Sequence, residues 1–389
     1  MKRIILITTV CACGLLPLQA QSVDEVLQSV AQHNKSIQAQ QKNGEAEKIG
    51  IEAENGLEDP TVEYSSFFSK GVNGQSGSEL VVSQGFDFPT VYNSRNRAGH
   101  DKKEAVDYRA EALRRNVLLE AKTLCLDMIR LNRQRDLLNK RMQNADELLA
   151  LYEERLRAGD ATVIEVNKIK MERMSIQTEV LQNHTDHRTA LQSLLALNGN
   201  MPLTFEGREY PIVPSPLDFD ALCDEALGND AELKAADTRA AERTLTVNRQ
   251  KWLPKLEIGY RRNTGEGSKE HGFLVGGSIP LFSNRRQVKM AQAQSIGARL
   301  QADETRLKAE AALHSGFNEL QQLGRTMSVY DQPLMTQTLE LLKESVKGGE
   351  LSVTDYFVEA DQIYRNLQAF MELECQYQKV AATLFKNRL

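Results

Sequence analysis

Long apolar runs, tryptophan, proline and paired cysteines are scarce in this 389-residue sequence. After Ala20 no stretch approaches the ~18 uncharged apolar residues that a membrane-spanning helix needs, so no such helix is predicted. One Trp and 10 Pro in a chain rich in Ala, Leu, Gln, Glu and Arg indicate long helices. Beyond the N-terminal segment, Cys125, Cys223 and Cys375 are odd in number and lie in helical patterns. Buried free thiols are therefore predicted instead of a disulfide framework.

Motifs of enzyme chemistry are missing as well. The sequence has no Gly-rich phosphate loop, no nucleophile elbow and no Cys-pair metal motif. His184 and His187 are spaced to share a helix face, but no further metal ligand lies nearby, which favours a solvated face. The net charge is -5 and no dense basic run occurs, so neither nucleic acid nor anionic lipid is indicated as a partner. We predict that the chain is not an enzyme and holds no metal or cofactor.

The N-terminus has the pattern of a secretory signal peptide. Lys2 and Arg3 precede an apolar segment, Ile4–Leu16, and Ala20 offers the small residue expected before a cleavage site. Two alternatives are an N-terminal anchor helix and a lipoprotein that is processed at Cys13. We expect residues 1–20 to be a signal peptide.

An internal repeat organises the rest of the chain. Four landmarks occur twice in the same order: a helix start, an Xaa-Pro step, a Gly-containing strand end and a Gly turn. They are Val23–Leu27 and Phe219–Cys223, Asp59-Pro60 and Leu253-Pro254, Gly85–Pro89 and Gly277–Leu281, and Gly159–Val163 and Gly349–Val353. The predicted domains are a first repeat at 21–200, a linker at 201–218 and a second repeat at 219–389.

Each repeat contains two short runs in which apolar residues alternate with polar ones, the pattern of β-strands. They are Val62, Tyr64 and Phe68; Leu80, Val82, Phe86 and Phe88; Leu256, Ile258 and Tyr260; and Phe273, Val275, Ile279 and Leu281. Polar Gly-containing loops at 71–77 and 264–268 link them, so each repeat predicts one β-hairpin. The sheet is either a small soluble cap or part of a transmembrane barrel. Four strands cannot close a barrel, so two or three chains would have to pool eight or twelve.

Long helices follow each hairpin. Residues 93–157 contain no Pro and one Gly, and their apolar residues step by four and three from Val117 to Leu156, with only Arg135 interrupting. This heptad pattern predicts packing against a neighbouring helix over roughly 95 Å. The first helix ends at a turn at Gly159, and a returning helix runs to about Leu197. In the second copy the first, or rising, helix begins at about Arg285 and ends at a turn at Gly349, and the returning helix runs to about Phe385.

Two carboxylates follow these turns. Thr162 with Glu165, and Ser352 with Asp355, have the spacing of capping pairs at the start of the returning helices. Capping alone is therefore one interpretation of Glu165 and Asp355.

The duplicated order of helix, Xaa-Pro step, strand pair and coiled helical hairpin resembles the TolC-type outer-membrane efflux family over essentially the whole mature chain. The most specific local matches are the two Gly-containing turns and the segments Ser83–Pro89 and Ser278–Phe282. The resemblance implies a mainly α fold with a small β part. Tandem coiled-coil helical hairpins and two β-hairpins per chain would form a homotrimer with a 12-stranded transmembrane β-barrel and an α-helical periplasmic tunnel.

The resemblance also implies a role. The chain would be an exit duct in the outer membrane of a Gram-negative bacterium, extending into the periplasm, for a tripartite efflux or type I secretion system. It would contact outer-membrane lipid, a periplasmic adaptor (membrane fusion) protein and an inner-membrane pump that delivers the substrate.

The same resemblance places two kinds of site at the turns. Acidic residues past the second turn would ring a periplasmic constriction: Asp355 matches the first family position, whereas Val358 occupies the second, with Glu359 beside it and Glu165 as the first-copy equivalent. Three copies of a carboxylate at a narrow aperture would repel one another and attract cations. The expected adaptor contacts are Gly159, Ala161, Val163, Gly349, Leu351 and Val353, whose apolar members are expected to face water.

Two alternatives belong to other classes. A periplasmic coiled-coil adaptor also contains a long helical hairpin, but it would have one hairpin flanked by β-rich domains. A soluble structural coiled-coil protein is the other. Two helical hairpins with short paired strands favour the duct.

Overall fold

The computed structural model describes residues 22–70, 74–214, 219–265, 268–280 and 284–389. The predicted signal peptide lies outside these residues, as do Leu281 and parts of the predicted strand loops and linker. The helices are α1 Val23–His33, α2 Lys35–Ala53, α3 Pro89–Ala158, α4 Val163–Leu197, α5 Phe219–Gln250, α6 Asn284–Met327, α7 Gln332–Gly348 and α8 Val353–Leu384. The strands are β1 Thr61–Phe67, β2 Gly77–Phe86, β3 Lys255–Gly265 and β4 Ser268–Ser278. The predicted mainly α fold with two β-hairpins is confirmed.

The heptad residues of α3 are buried or half-buried, as the pattern predicted, and Cys125 and Cys375 are buried free thiols. None of the helices that the structure describes has a stretch long and apolar enough to span a membrane.

Two predicted helices are interrupted. The helix predicted to begin at Val23 is broken at Asn34, between α1 and α2, and the Asn34 side-chain amide donates a hydrogen bond to the Leu197 carbonyl at 2.8 Å. The rising helix of the second copy was expected to be continuous, but it divides into α6 and α7. Pro333 lies in the first turn of α7, and the Asp331 side chain caps that helix by accepting from the Leu334 N–H at 2.9 Å. Proline lacks an N–H and is tolerated in a first turn but not in a helix interior, so the chain restarts there.

The four strands form one antiparallel sheet in the order β1-β2-β3-β4. The two hairpins pair through β2 and β3, where Val82 lies opposite Tyr260. The outer strands β1 and β4 each have one edge without a partner strand among the described residues. Unpaired N–H and C=O groups along a strand edge are a template for pairing with another chain.

The register sorts side chains onto two unlike faces. We call one the apolar face; it carries Val62, Tyr64, Leu80, Val82, Phe86, Leu256, Ile258, Tyr260, Phe273 and Val275. Its residues have little cover within the chain: Phe273 is 91% exposed and Val275 is 82% exposed. We call the other the acidic face, because it carries the four strand glutamates, Glu63, Glu79, Glu257 and Glu270.

By its contacts the chain divides into two compact units. Within the described residues, unit 1 lies in the ranges 22–34, 120–213 and 322–382, and unit 2 lies in the ranges 35–119, 214–321 and 383–389 and so includes the sheet. Each unit takes residues from both predicted repeats. The two compact units therefore do not follow the boundary that was predicted at 201–218. The two repeats remain a prediction that the chain arose by duplication, and they do not correspond to separate compact units. The hairpin turns lie in unit 1.

Candidate functional site

The two turns of the helical hairpins are built alike. Gly159 and Gly349 have φ angles of 85° and 81°, in the left-handed region that glycine adopts without strain. The N–H of Asp160 donates to the Arg155 carbonyl at 2.8 Å, and that of Glu350 donates to the Ser345 carbonyl at 3.0 Å. These bonds close the ends of α3 and α7 in the pattern of a Schellman motif. The prediction that glycine ends each rising helix is confirmed.

Glu165 takes part in a complete capping box at the start of α4. Its N–H donates to the Thr162 hydroxyl at 3.2 Å, while its carboxylate accepts from the Thr162 N–H at 2.7 Å and from the hydroxyl at 2.8 Å. The backbone hydrogen bond from Thr162 is the main reason that the pKa of Glu165 is held below its usual value. The carboxylate of Glu165 is thus engaged in capping, and its role at a constriction stays a prediction.

Asp355 caps α8 in a looser way. The Ser352 hydroxyl donates to its carboxylate at 2.7 Å, and the N–H of Asp355 donates to that hydroxyl at 3.1 Å. Asp355 and Glu359 are both exposed and lie four residues apart, hence on one side of α8. The exposed Val358 lies between them. Capping therefore leaves this acidic pair accessible on the surface of unit 1.

One of the predicted contact residues is placed differently. Val353 was expected to face water, but it is fully buried in a core cluster with Val346, Tyr356 and Val166. Its side chain points inward because the first turn of α8 packs directly on that cluster. Ala161 and Leu351 are half-buried against the same cluster.

The exposed apolar surface of the turns is smaller than predicted and partly different. Of the four predicted apolar residues only Val163 is well exposed, at 59%, and beside it Ile164 is 80% exposed. Ile164 was not among the predicted contacts. The signal was present, because buried Val166 and Ile169 fix the inward side of α4 and leave Ile164 on the outer side.

A buried ion network joins three helices in unit 1. The side chain of Arg141, on α3, is 8% exposed and donates to Glu172 at 2.5 Å and Glu179 at 3.1 Å, both on α4. It also donates to Asp361 on α8 at 3.3 Å, and its guanidinium lies 5.0 Å from the Tyr364 ring centroid. One cation therefore neutralises carboxylates from both helical hairpins, about two helical turns beyond Asp355 along α8.

The candidate metal ligands do not assemble into a convincing site. Within the described residues, His100, Asp101 and Glu104 bring three ligand atoms within 4.8 Å of one another. However, Arg243 lies 2.7 Å from the Asp101 carboxylate and Arg239 lies 3.0 Å from that of Glu104. Each carboxylate already has a cationic partner, so the group is a structural ion cluster.

His184 and His187, which are spaced to share a helix face, also have no further metal ligand beside them among the described residues. No group of three metal ligands that the structure describes includes either residue. Burial lowers the pKa of His187.

The comparisons with known proteins agree with this architecture. No family model matches the chain. One curated relative is the nickel-cobalt-cadmium resistance protein NccC of Alcaligenes xylosoxydans xylosoxydans, 24% identical over 263 residues. That alignment covers 65% of this chain and 58% of the relative, so the chain spans less than two thirds of the relative's length.

Similar solved structures cover nearly the whole chain. A membrane protein from Pseudomonas aeruginosa has a TM-score of 0.78 at 17% identity, covering 95% of this chain and 90% of that one. The outer membrane protein VceC from Vibrio cholerae has a TM-score of 0.75 at 16% identity, with 94% and 95% covered. CusC, whose structures describe transmembrane channel formation, has a TM-score of 0.72 at 14% identity, with 95% and 92% covered. These neighbours are described as a membrane protein, an outer membrane protein and a transmembrane channel, and the chain has the fold of the TolC-type outer-membrane efflux channels that the sequence resembled.

Proposed function

We propose that the chain is one subunit of an outer-membrane duct through which substrates leave the periplasm. The duct is passive: an inner-membrane pump and a periplasmic adaptor deliver the substrate. The sheet lies in the outer membrane, and the helices extend into the periplasm. The fold shared with VceC and CusC supports this arrangement.

The observation that carries the proposal is the two-faced sheet. Its apolar face has little cover within the described chain, and its other face carries four glutamates. Lipid on one side and a water-filled lumen on the other would satisfy both faces. In hydrocarbon every backbone polar group needs a partner, so the open edges of β1 and β4 must meet other strands. Further copies of this chain supply them, and three copies give the twelve strands that the resemblance implies.

The acidic pair Asp355 and Glu359 is the proposed periplasmic constriction, and Glu165 is its first-copy counterpart. Three copies of an exposed acidic pair around a narrow opening attract cations and disfavour anions. The exposed tip residues Val163 and Ile164 are proposed contacts for the adaptor, as is the backbone around Gly159 and Gly349. Exposed apolar side chains at a loop tip suit burial against a partner.

Metal cations are the first cargo to test. The relative NccC is named for resistance to nickel, cobalt and cadmium, and the acidic face and acidic pair of this chain both favour cations. Organic cations are the second candidate cargo, because the same acidic residues would attract them.

Single-channel recording in planar bilayers tests the duct and its gate together. The wild-type protein is expected to form cation-preferring channels, and the variant Asp355→Asn/Glu359→Gln is expected to lose cation preference, measured as a shift of the reversal potential in a KCl gradient. Asp160→Asn is the matched control, because Asp160 is an exposed acid at the first turn outside the proposed constriction. An unchanged reversal potential in the double variant removes the pair from the gate, and the absence of channels in the wild type refutes the duct.

A further inference from the structure

Three basic residues of the sheet lie together on the apolar face, although the linear sequence does not show this grouping. Arg262, Lys269 and His271 all lie on the apolar face: Arg262 is opposite His271, and Lys269 is opposite Thr264. The ring of His271 lies 6.4 Å from that of Tyr260, which places it beside the apolar residues. All three basic side chains are exposed. We call them the basic cluster.

Among the described residues, the basic cluster has no acidic partner on its own face. The four strand glutamates project from the acidic face, and the other strand cations, Lys255 and Arg261, share that face and pair there. Arg261, one residue before Arg262, lies 2.8 Å from the Glu79 carboxylate. Within the part of the chain that the structure describes, neither Arg262 nor Lys269 forms an ion pair. Arg261 is thus neutralised within the chain, whereas the adjacent Arg262 has no anionic partner among the described residues.

The position of the basic cluster along the strands indicates which leaflet of the membrane the cluster would contact. All four strands join helices at one end of the sheet: β1 follows α2, β2 leads to α3, β3 follows α5 and β4 leads to α6. The basic cluster lies at the other end, next to the β3–β4 turn. If the helices are periplasmic, as in the proposed function on which this inference rests, the cluster lies at the outer leaflet. The lipid there is a phosphorylated glycolipid.

We propose that Arg262, Lys269 and His271 form a binding site on the lipid-facing surface for the phosphate groups of this outer-leaflet glycolipid, lipid A. The Arg262 guanidinium presents a planar fork that matches a phosphate, and the Lys269 ammonium adds a second positive charge nearby. The adjacent apolar face, from Tyr260 to Phe273 and Val275, covers the acyl chains of the same molecule. Each cation near an anionic lipid surface strengthens binding several-fold, so the pair together accounts for an effect of roughly 30-fold.

The test uses the purified full-length chain in detergent, titrated with bis-phosphorylated lipid A and followed by native mass spectrometry. The variant Arg262→Gln/Lys269→Gln is expected to bind this lipid at least about tenfold more weakly than the wild type. Arg261→Gln is the matched control, because it removes an adjacent arginine from the opposite face, and its lipid affinity is expected to be unchanged. Dephosphorylated lipid A is expected to bind wild type and double variant equally weakly.

Three results would overturn the proposal. They are equal lipid A affinity of the wild type and the double variant, equal affinity of the wild type for lipid A with and without its phosphates, and binding of phosphatidylglycerol as tightly as lipid A. Planar-bilayer recording on the same preparations distinguishes failure of the lipid-site proposal from failure of the proposed duct function. Channels that persist without a lipid A preference remove only the lipid site, whereas the absence of channels in the wild type removes the frame on which it rests.

Discussion

Replacing Arg141 by glutamine removes the cation that Glu172, Glu179 and Asp361 share in the buried network of unit 1. The glutamine cannot carry charge, so three carboxylates from two helical hairpins are left close together without their shared partner. Removing one member of a buried ion pair costs about 3–5 kcal/mol, because the remaining charge stays desolvated. Here the carboxylate side chains are 19% to 35% exposed, so water screens part of the loss and the lower end of that range applies, about 3 kcal/mol.

Arg365→Gln provides the matched control. Arg365 also binds Asp361, but its side chain is 71% exposed and the pair is a one-turn contact on the surface of α8. Such pairs contribute about 0.5 kcal/mol or less. Urea unfolding followed by circular dichroism, at fixed protein and detergent concentrations, compares the two variants. The combination Arg141→Met/Glu172→Gln removes a charge of each sign and is expected to recover part of the stability. A cost for Arg141→Gln no larger than that for Arg365→Gln would refute the idea that this network fastens the hairpins together.

Three further predictions follow from the sheet and the turns. Val275→Arg on the apolar face is expected to destabilise the protein in the bilayer by about 2–4 kcal/mol and to lower its amount in the outer-membrane fraction. Leu274→Arg, on the acidic face, is expected to be tolerated. Equal loss of both variants from the outer-membrane fraction would contradict the assignment of the faces. Trp252, the one tryptophan of the chain, is 65% exposed at the helix end of β3, so lipids brominated near the headgroup are expected to quench its fluorescence more than lipids brominated at the chain ends. The lowered pKa of Glu165 means that its capping contribution is fully present above the carboxyl's unfolded pKa and is lost as pH falls through the lower folded pKa. Glu165→Gln is therefore expected to be less stable than the wild type at pH 7 and equal to it at pH 2 in thermal melts; a difference that persists at pH 2 would assign the effect to packing.

The repeated elements of the fold were predictable because their signals are local. Glycine fixes each turn through a left-handed φ, period-2 alternation identifies the strands, and the heptad pattern identifies the buried side of α3. The α6–α7 break was missed although Pro333 marks it, because the second copy was expected to repeat the continuous helix of the first.

The placement of individual side chains was less predictable. Whether Val353 or Ile164 is exposed depends on which side of a helix end packs against a distant segment. The Arg141 network joins residues 31, 38 and 220 positions apart, and nothing in local spacing indicates such a meeting. The basic cluster was hidden for a related reason. Its residues are spread over ten positions, and only strand pairing brings them together on one face while sending the neighbouring Arg261 to the other.

The break between α6 and α7 gives the two arms of the duplicated chain unequal stiffness. The first rising arm is the single 70-residue helix α3, with a continuous hydrogen-bond ladder that resists bending along its length. The second is jointed at residues 328–331, where the ladder stops at Tyr330 and restarts from the Asp331 cap. A lateral force on the second turn is therefore expected to bend the second arm at this break, whereas α3 has no such interruption.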